Sequence, residues 1–95
     1  MWYIGTMVTK AEAYRPIDRV QTGVRMEKRI LKVLKGLAEL KELSLGDLLE
    51  GIVLHAFEGK APFSAATLKQ IAELKRIYGL DLTAKDSHRL RERRP

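Results

Sequence analysis

The spacing of apolar residues divides the chain into one short alternating segment and three helical segments. In residues 19–26, apolar or β-branched side chains alternate with Gln21, Gly23 and Arg25, which is the period of a strand with one covered face. From Glu27 onward the period becomes helical, and the apolar stripe of this first helix is wider than one packing neighbour would require, so the helix is expected to be buried on more than one side. Helices are predicted over residues 27–41, 44–57 and 64–78.

Capping residues mark the ends of these helices. Ser44 and Asp47 have the spacing of a capping box that would begin the second helix. Gly79 follows the third helix, where a glycine commonly closes the last turn. Beyond it, few residues are apolar, so a frayed helix or a mobile tail is predicted there, with a further cap-like pair at Thr83 and Asp86.

The alternating segment needs a partner, because a lone strand leaves its backbone groups unpaired and no other segment reads as a strand. One strand and two helices are also too little to bury a core. Two copies solve both problems if their strands pair across a two-fold axis. The predicted fold is therefore mainly α with one short β-strand, forming an intertwined homodimer with an intermolecular two-stranded antiparallel β-ribbon and an extra C-terminal helix. The predicted divisions are an N-terminal arm (1–18), a dimerisation and DNA-binding domain (19–59) and a C-terminal helical extension with a basic tail (60–95).

Residues 20–59 resemble the ribbon-helix-helix, or Arc/MetJ-type, family of DNA-binding proteins. The resemblance rests on the alternating segment from Val20 to Met26, the helix from Glu27 to Lys41 and the second helix led by Ser44. It implies a transcription regulator, specifically a repressor, that binds double-stranded DNA as an obligate homodimer. Its ribbon would read the major groove of a palindromic or pseudo-palindromic site.

The resemblance assigns base contacts to the outward positions Gln21, Gly23 and Arg25. Arginine can donate paired hydrogen bonds to guanine, and glutamine can pair similarly with adenine. Gly23 has no side chain where members of the family commonly carry a polar one. Phosphate contacts are expected at the start of the second helix, where free amides and a partial positive charge suit an anion. The predicted phosphate-contacting residues are Ser44, Leu45 and Gly46, with Arg19, Lys28 and Arg29 as basic neighbours.

The net charge suits an anionic partner without identifying one. The chain carries a charge of +6 over 95 residues, which favours polyanions. Within residues 20–59 the basic and acidic side chains cancel, so the excess lies in the flanks. A basic run near the C-terminus either adds non-specific contacts to nucleic acid or solubilises a tail. Its arginines are Arg89, Arg91, Arg93 and Arg94.

Other chemistries find little support in the composition. The absence of cysteine excludes thiol catalysis, and two histidines are too few for a metal cluster. His55 is expected to be a packing or surface residue, and Asp86, Ser87 and His88 are sequence neighbours that cannot form a hydrolytic triad. No enzyme activity, metal or cofactor is expected. The chain has neither an apolar run long enough to span a membrane nor a signal peptide at its start, so a cytoplasmic location is expected.

Two alternatives stay open. The third helix (64–78) either extends the dimer core or covers a protein partner, as in antitoxins of the ribbon-helix-helix family. The chain would then be an antitoxin-type interaction module with weak or no DNA specificity. In the other alternative, the chain is a helical dimer with a structural role and no DNA ligand. Replacing Arg25 with Ala should then leave DNA affinity unchanged, whereas it should cost about 1–3 kcal/mol if DNA is the ligand.

Overall fold

A computed structural model describes residues 14–93 of the chain. They form three α-helices followed by a short 3-10 helix. The elements are α1 (Lys28–Lys41), α2 (Leu45–Phe57), α3 (Ala65–Tyr78) and the 3-10 helix Ala84–Asp86. Residues 14–26, here called the N-terminal segment, precede α1 without regular secondary structure. The three predicted helices are confirmed to within one residue at either end.

Each α-helix begins at a side chain that accepts hydrogen bonds from its first amides, which have no acceptor within the helix. The Glu27 carboxylate accepts from the amides of Arg29 at 2.8 Å and Ile30 at 3.1 Å. The hydroxyls of Ser44 and Ser64 each accept from the amide three residues further on, at 3.1 and 3.2 Å. These caps fix where α1, α2 and α3 start.

Left-handed residues close two of the helices. Gly79 ends α3 with φ of 66°, as its position in the sequence predicts. Glu42 ends α1 with φ of 57°, a conformation that favours glycine. The next amide, that of Leu43, donates to the Ala38 carbonyl at 2.9 Å and completes the tight turn into α2. The cap predicted at Thr83 is also confirmed, since its amide donates to the Asp86 carboxylate at 2.8 Å.

The core forms around α1, which packs against both α2 and α3. Its broad apolar stripe is thus covered on more than one side, as the sequence predicts. Leu37 lies at the centre with 1% of its surface exposed. At Gly36 the helices come so close that an added Cβ would lie 2.9 Å from a Leu74 methyl carbon. The buried apolar residues are Val33, Leu37, Ala38, Leu48 and Leu74.

The predicted β-strand is wrong. The residues that the structure describes contain no strand, so the β-ribbon of a ribbon-helix-helix architecture is not present in them. Residues 19–26 also make no backbone-to-backbone hydrogen bond with the rest of the described chain. A strand exists only where its N–H and C=O groups pair with a neighbouring backbone. Alternating side chains specify which face would be covered, but they supply no such neighbour.

Part of the predicted domain organisation falls outside the described residues. This applies to positions 1–13 of the N-terminal arm and to positions 94 and 95 of the basic tail. The predicted C-terminal extension (60–95) contains α3 and the 3-10 helix. None of the described helices is long and apolar enough to cross a bilayer.

Candidate nucleic-acid interface

The N-terminal segment carries the predicted base-contacting residues on an open surface. Every residue from Tyr14 to Met26 is exposed, including Gln21, Gly23 and Arg25. A Cβ added to Gly23 would meet no described atom within 4 Å. Close packing within the described chain therefore does not require a glycine at this position.

Arg19 ties the N-terminal segment to α2. Its Nε and Nη2 donate to the two carboxylate oxygens of Glu50 at 2.9 and 2.7 Å, and Asp47 lies 3.8 Å away. The hydrogen bonds and charge of this pair raise the pKa of Arg19 and lower that of Glu50. Only the Ser44 half of the predicted capping box forms in α2, and the Asp47 carboxylate lies near Arg19 instead. Arg19 is therefore bound to carboxylates rather than free for phosphate.

Arg25 is held by a carboxylate from the far end of the chain. Its Nε donates to Glu92 Oε1 at 2.9 Å, and its Nη2 donates to the other oxygen of the same carboxylate. Both side chains are largely exposed, Arg25 to 84% and Glu92 to 70%. The predicted base-reading residue is therefore reachable by a ligand, although its Nε and Nη2 atoms already donate to a carboxylate.

Arg29 is the least accessible of the predicted cationic residues. Its Nη1 donates to the Gly79 carbonyl and to an Asp81 carboxylate oxygen, both at 3.0 Å, and its Nε donates to Glu27 at 3.1 Å. Desolvation opposes ionisation of Glu27, but hydrogen bonds from the amides of Ile30 and Arg29 and from the Arg29 guanidinium outweigh it and lower the pKa of Glu27. Arg29 thus serves as a structural link between α1 and the end of α3.

Lys28 and the start of α2 are more open. Lys28 is exposed at the first position of α1 and makes no ion pair within residues 14–93. At α2, Ser44 and Gly46 are exposed and Leu45 is half-buried. The amides of the first helical turn have no intrahelical acceptor, although the neighbouring carboxylate of Asp47 reduces the attraction for an anion.

Exposed apolar side chains lie on the side of α2 that carries Glu50, the partner of Arg19. We define the apolar face as Val53, Leu54 and Phe57. These residues follow Glu50 at spacings of three, four and seven, so they share its side of the helix. Leu54 is 63% exposed and Phe57 is 81% exposed.

Sequence reasoning missed the carboxylates that hold the arginines. Glu50, Asp81 and Glu92 are separated from their partners by 31, 52 and 67 residues. No local spacing indicates such pairs, because they form only when distant segments fold together. His55 is a surface residue, as the sequence allows, with Nδ1 2.7 Å from the Gly51 carbonyl oxygen. Within the described chain, no group of three or more potential ligands could hold a metal ion.

Comparison with known proteins identifies no relative of this chain. No family model, curated protein or solved structure matches the chain. A functional assignment therefore depends on its own residues and their geometry.

Proposed function

We propose that the chain binds double-stranded DNA as a homodimer and acts as a sequence-specific transcription regulator. The observation that carries the proposal is that Gln21 and Arg25 lie on an exposed segment fixed at both ends. Arg19 joins one end to α2 through Glu50, and the Glu27 cap joins the other end to α1. One short stretch thereby presents two side chains that can form paired hydrogen bonds with base edges.

A second copy of the chain is the proposed occupant of the apolar face. Within residues 14–93 only five apolar side chains are buried, while Leu54 and Phe57 remain largely exposed. A chain of this size buries a modest fraction of its surface alone, so covering these side chains would add substantially to its stability. Two-fold symmetry would then place two copies of Gln21 and Arg25 on one duplex, which suits a palindromic or pseudo-palindromic site.

Contacts to the DNA backbone would come from residues around the N-terminal segment. Lys28 is an exposed cation without an ion pair in the described chain, and the first amides of α2, at Leu45 and Gly46, are a second donor group. Arg19 and Arg29 are not among these proposed contacts, because Arg19 holds the N-terminal segment on α2 through Glu50 and Arg29 links α1 to the end of α3.

The test is a fluorescence-anisotropy titration of the full chain with two duplexes, the DNA directly upstream of its coding sequence and a scrambled control. The variants are Arg25→Ala and, as a matched control, Arg76→Ala. Arg76 is an exposed α3 arginine that also pairs with a glutamate, so both changes remove one charge and one ion pair. Arg25→Ala should weaken binding to the upstream duplex by about 5- to 150-fold for each copy of Arg25 that contacts a base, the range of one paired base contact.

The outcomes separate the proposal from its competitors. Tighter, salt-resistant binding to the upstream duplex that depends on Arg25 more than on Arg76 supports sequence-specific recognition. Equal binding to both duplexes that disappears with salt would mean that only charge is read. No binding even at low salt would overturn the DNA proposal and leave a helical dimer without a DNA ligand.

A second candidate function is a protein-interaction module of the antitoxin type. The specific observation in its favour is a cleft of about 470 Å³ between α1 and α3, lined in part by Leu40, Gln70 and Ile77. Both apolar side chains are exposed, and the Gln70 Oε1 atom is buried without a hydrogen-bond partner. Amide hydrogen exchange of the free protein tests this candidate. If the amides of residues 65–78 are protected as strongly as those of α1, α3 is already stably packed and does not need a protein partner to cover it.

A cytoplasmic location belongs to the same proposal. A chain without cysteine suits a reducing compartment, and DNA regulation requires access to the chromosome.

A further inference from the structure

The C-terminal segment, residues 79–93, folds back onto the start of α1. Leu80 packs on the core directly after α3. Arg29 then holds the Gly79 carbonyl and the Asp81 carboxylate, both at 3.0 Å. The Thr83–Asp86 capping box shapes the turn that follows. These contacts bring the last described residues back to the N-terminal segment.

This path ends with the Glu92 carboxylate on Arg25. Two guanidinium donors, Nε and Nη2, are taken by the two carboxylate oxygens. Recognition of guanine by arginine also uses two guanidinium donors, directed at the O6 and N7 atoms. Arg25 cannot direct the same donors to a carboxylate and to a base at once. The Nε–Nη2 edge is therefore unavailable to a base while Glu92 holds it, and the carboxylate also offsets the positive charge of Arg25 that would attract DNA.

We propose that the C-terminal segment competes with DNA for Arg25 and so lowers the affinity of the free protein for DNA. This inference depends on the DNA-binding function proposed above. Because both side chains are largely exposed, the pair is weak and readily displaced. The C-terminal segment therefore lowers the affinity for DNA without blocking binding.

The test replaces Glu92 with Gln, which removes the carboxylate charge and keeps the shape of the side chain and every arginine of the tail. Glu73→Gln is the matched control, because Glu73 forms a similar exposed pair with Arg76 on α3. Both variants raise the net charge equally, so any general gain in DNA affinity appears in both. We expect Glu92→Gln to bind the upstream duplex about 1.4- to 5-fold more tightly than Glu73→Gln, the range for an exposed ion pair.

A double-mutant cycle isolates the contact from general charge effects. In an Arg25→Ala background, Glu92→Gln and Glu73→Gln should have equal effects on affinity. A readout without DNA is the NMR signal of the Arg25 Nε–H group in the full-length protein. That signal should shift in Glu92→Gln and stay unchanged in Glu73→Gln.

The possible results are distinguishable. If the wild type binds and requires Arg25, but Glu92→Gln and Glu73→Gln behave alike, the competition is overturned and the DNA-binding function stands. If the Arg25 Nε–H signal does not change in Glu92→Gln, Arg25 does not contact Glu92 in the free protein, and the proposed competition is overturned. If no variant binds either duplex at low salt, the DNA-binding function fails and the competition fails with it, even where the NMR shift is seen.

Discussion

A substitution of Leu54 tests whether the apolar face is an interface between two copies of the chain. Leu54 is 63% exposed on α2, and Ile77 is 65% exposed on α3, outside the apolar face. The two residues thus form a matched pair, with the same number of side-chain carbons and nearly the same exposure. In an isolated chain, neither Leu54→Ala nor Ile77→Ala should remove much packing.

The expected effect follows from the exposed part of the side chain. Fully burying a leucine side chain contributes about 1.5–3 kcal/mol, so covering the exposed 63% of Leu54 contributes about 1–2 kcal/mol per chain. In a symmetric dimer both copies are affected, which gives a loss of about 2–4 kcal/mol. Since about 1.4 kcal/mol corresponds to a factor of ten, the dimer dissociation constant should rise by about 30- to 700-fold.

Sedimentation equilibrium over a wide range of protein concentration measures this constant directly. Leu54→Ala should shift the monomer–dimer equilibrium strongly towards monomer, and Ile77→Ala should leave it unchanged. Circular dichroism of each monomer checks that the helices are retained. A wild type that stays monomeric at all concentrations, or two variants that weaken the dimer equally, would refute the assignment of this face.

Two further predictions concern the stability of the three-helix unit. Leu37→Ala should lower the free energy of unfolding by about 2–5 kcal/mol, because Leu37 is 1% exposed at the centre of the core and its truncation leaves a cavity. Urea unfolding measures this loss. A loss no larger than that of the exposed control Leu90→Ala would contradict the prediction. Glu27→Gln should lower the melting temperature at neutral pH, and its difference from the wild type should shrink as the pH falls below about 4.3. The reason is that the pKa of Glu27 is lowered in the folded protein, so its stabilising effect is complete above the unfolded pKa of about 4.3 and is lost as the pH falls through the folded value. A difference between wild type and Glu27→Gln that persists at low pH would show that the carboxylate charge is not what caps α1.

The helices could be predicted from the sequence because their signals are local. A helix buries residues three and four positions apart, and its first amides are capped by a side chain next to them in the chain. Ser44, Ser64 and Gly79 therefore mark ends of α2 and α3 that the structure confirms. The width of the apolar stripe on α1 likewise indicated that it is covered on more than one side, as its packing against α2 and α3 confirms.

The strand could not be predicted in the same way. The alternation of Val20, Thr22 and Val24 shows which side chains would share a face. Whether the backbone forms a ladder depends on a second backbone at hydrogen-bonding distance, and the described chain offers none. The alternation of side chains therefore did not justify the prediction of a β-strand, because it carries no information about a neighbouring backbone.

The candidate interface shows the same division between local and distant information. Sequence alone determined which side chains have the chemistry to read a base, namely Gln21 and Arg25, because that chemistry belongs to the residue type. Only the tertiary structure decided that Arg25 is held by Glu92, through a contact across 67 residues. Ion pairs of this kind leave no periodic trace in the chain, because they depend on where separate elements come to lie after the core has packed.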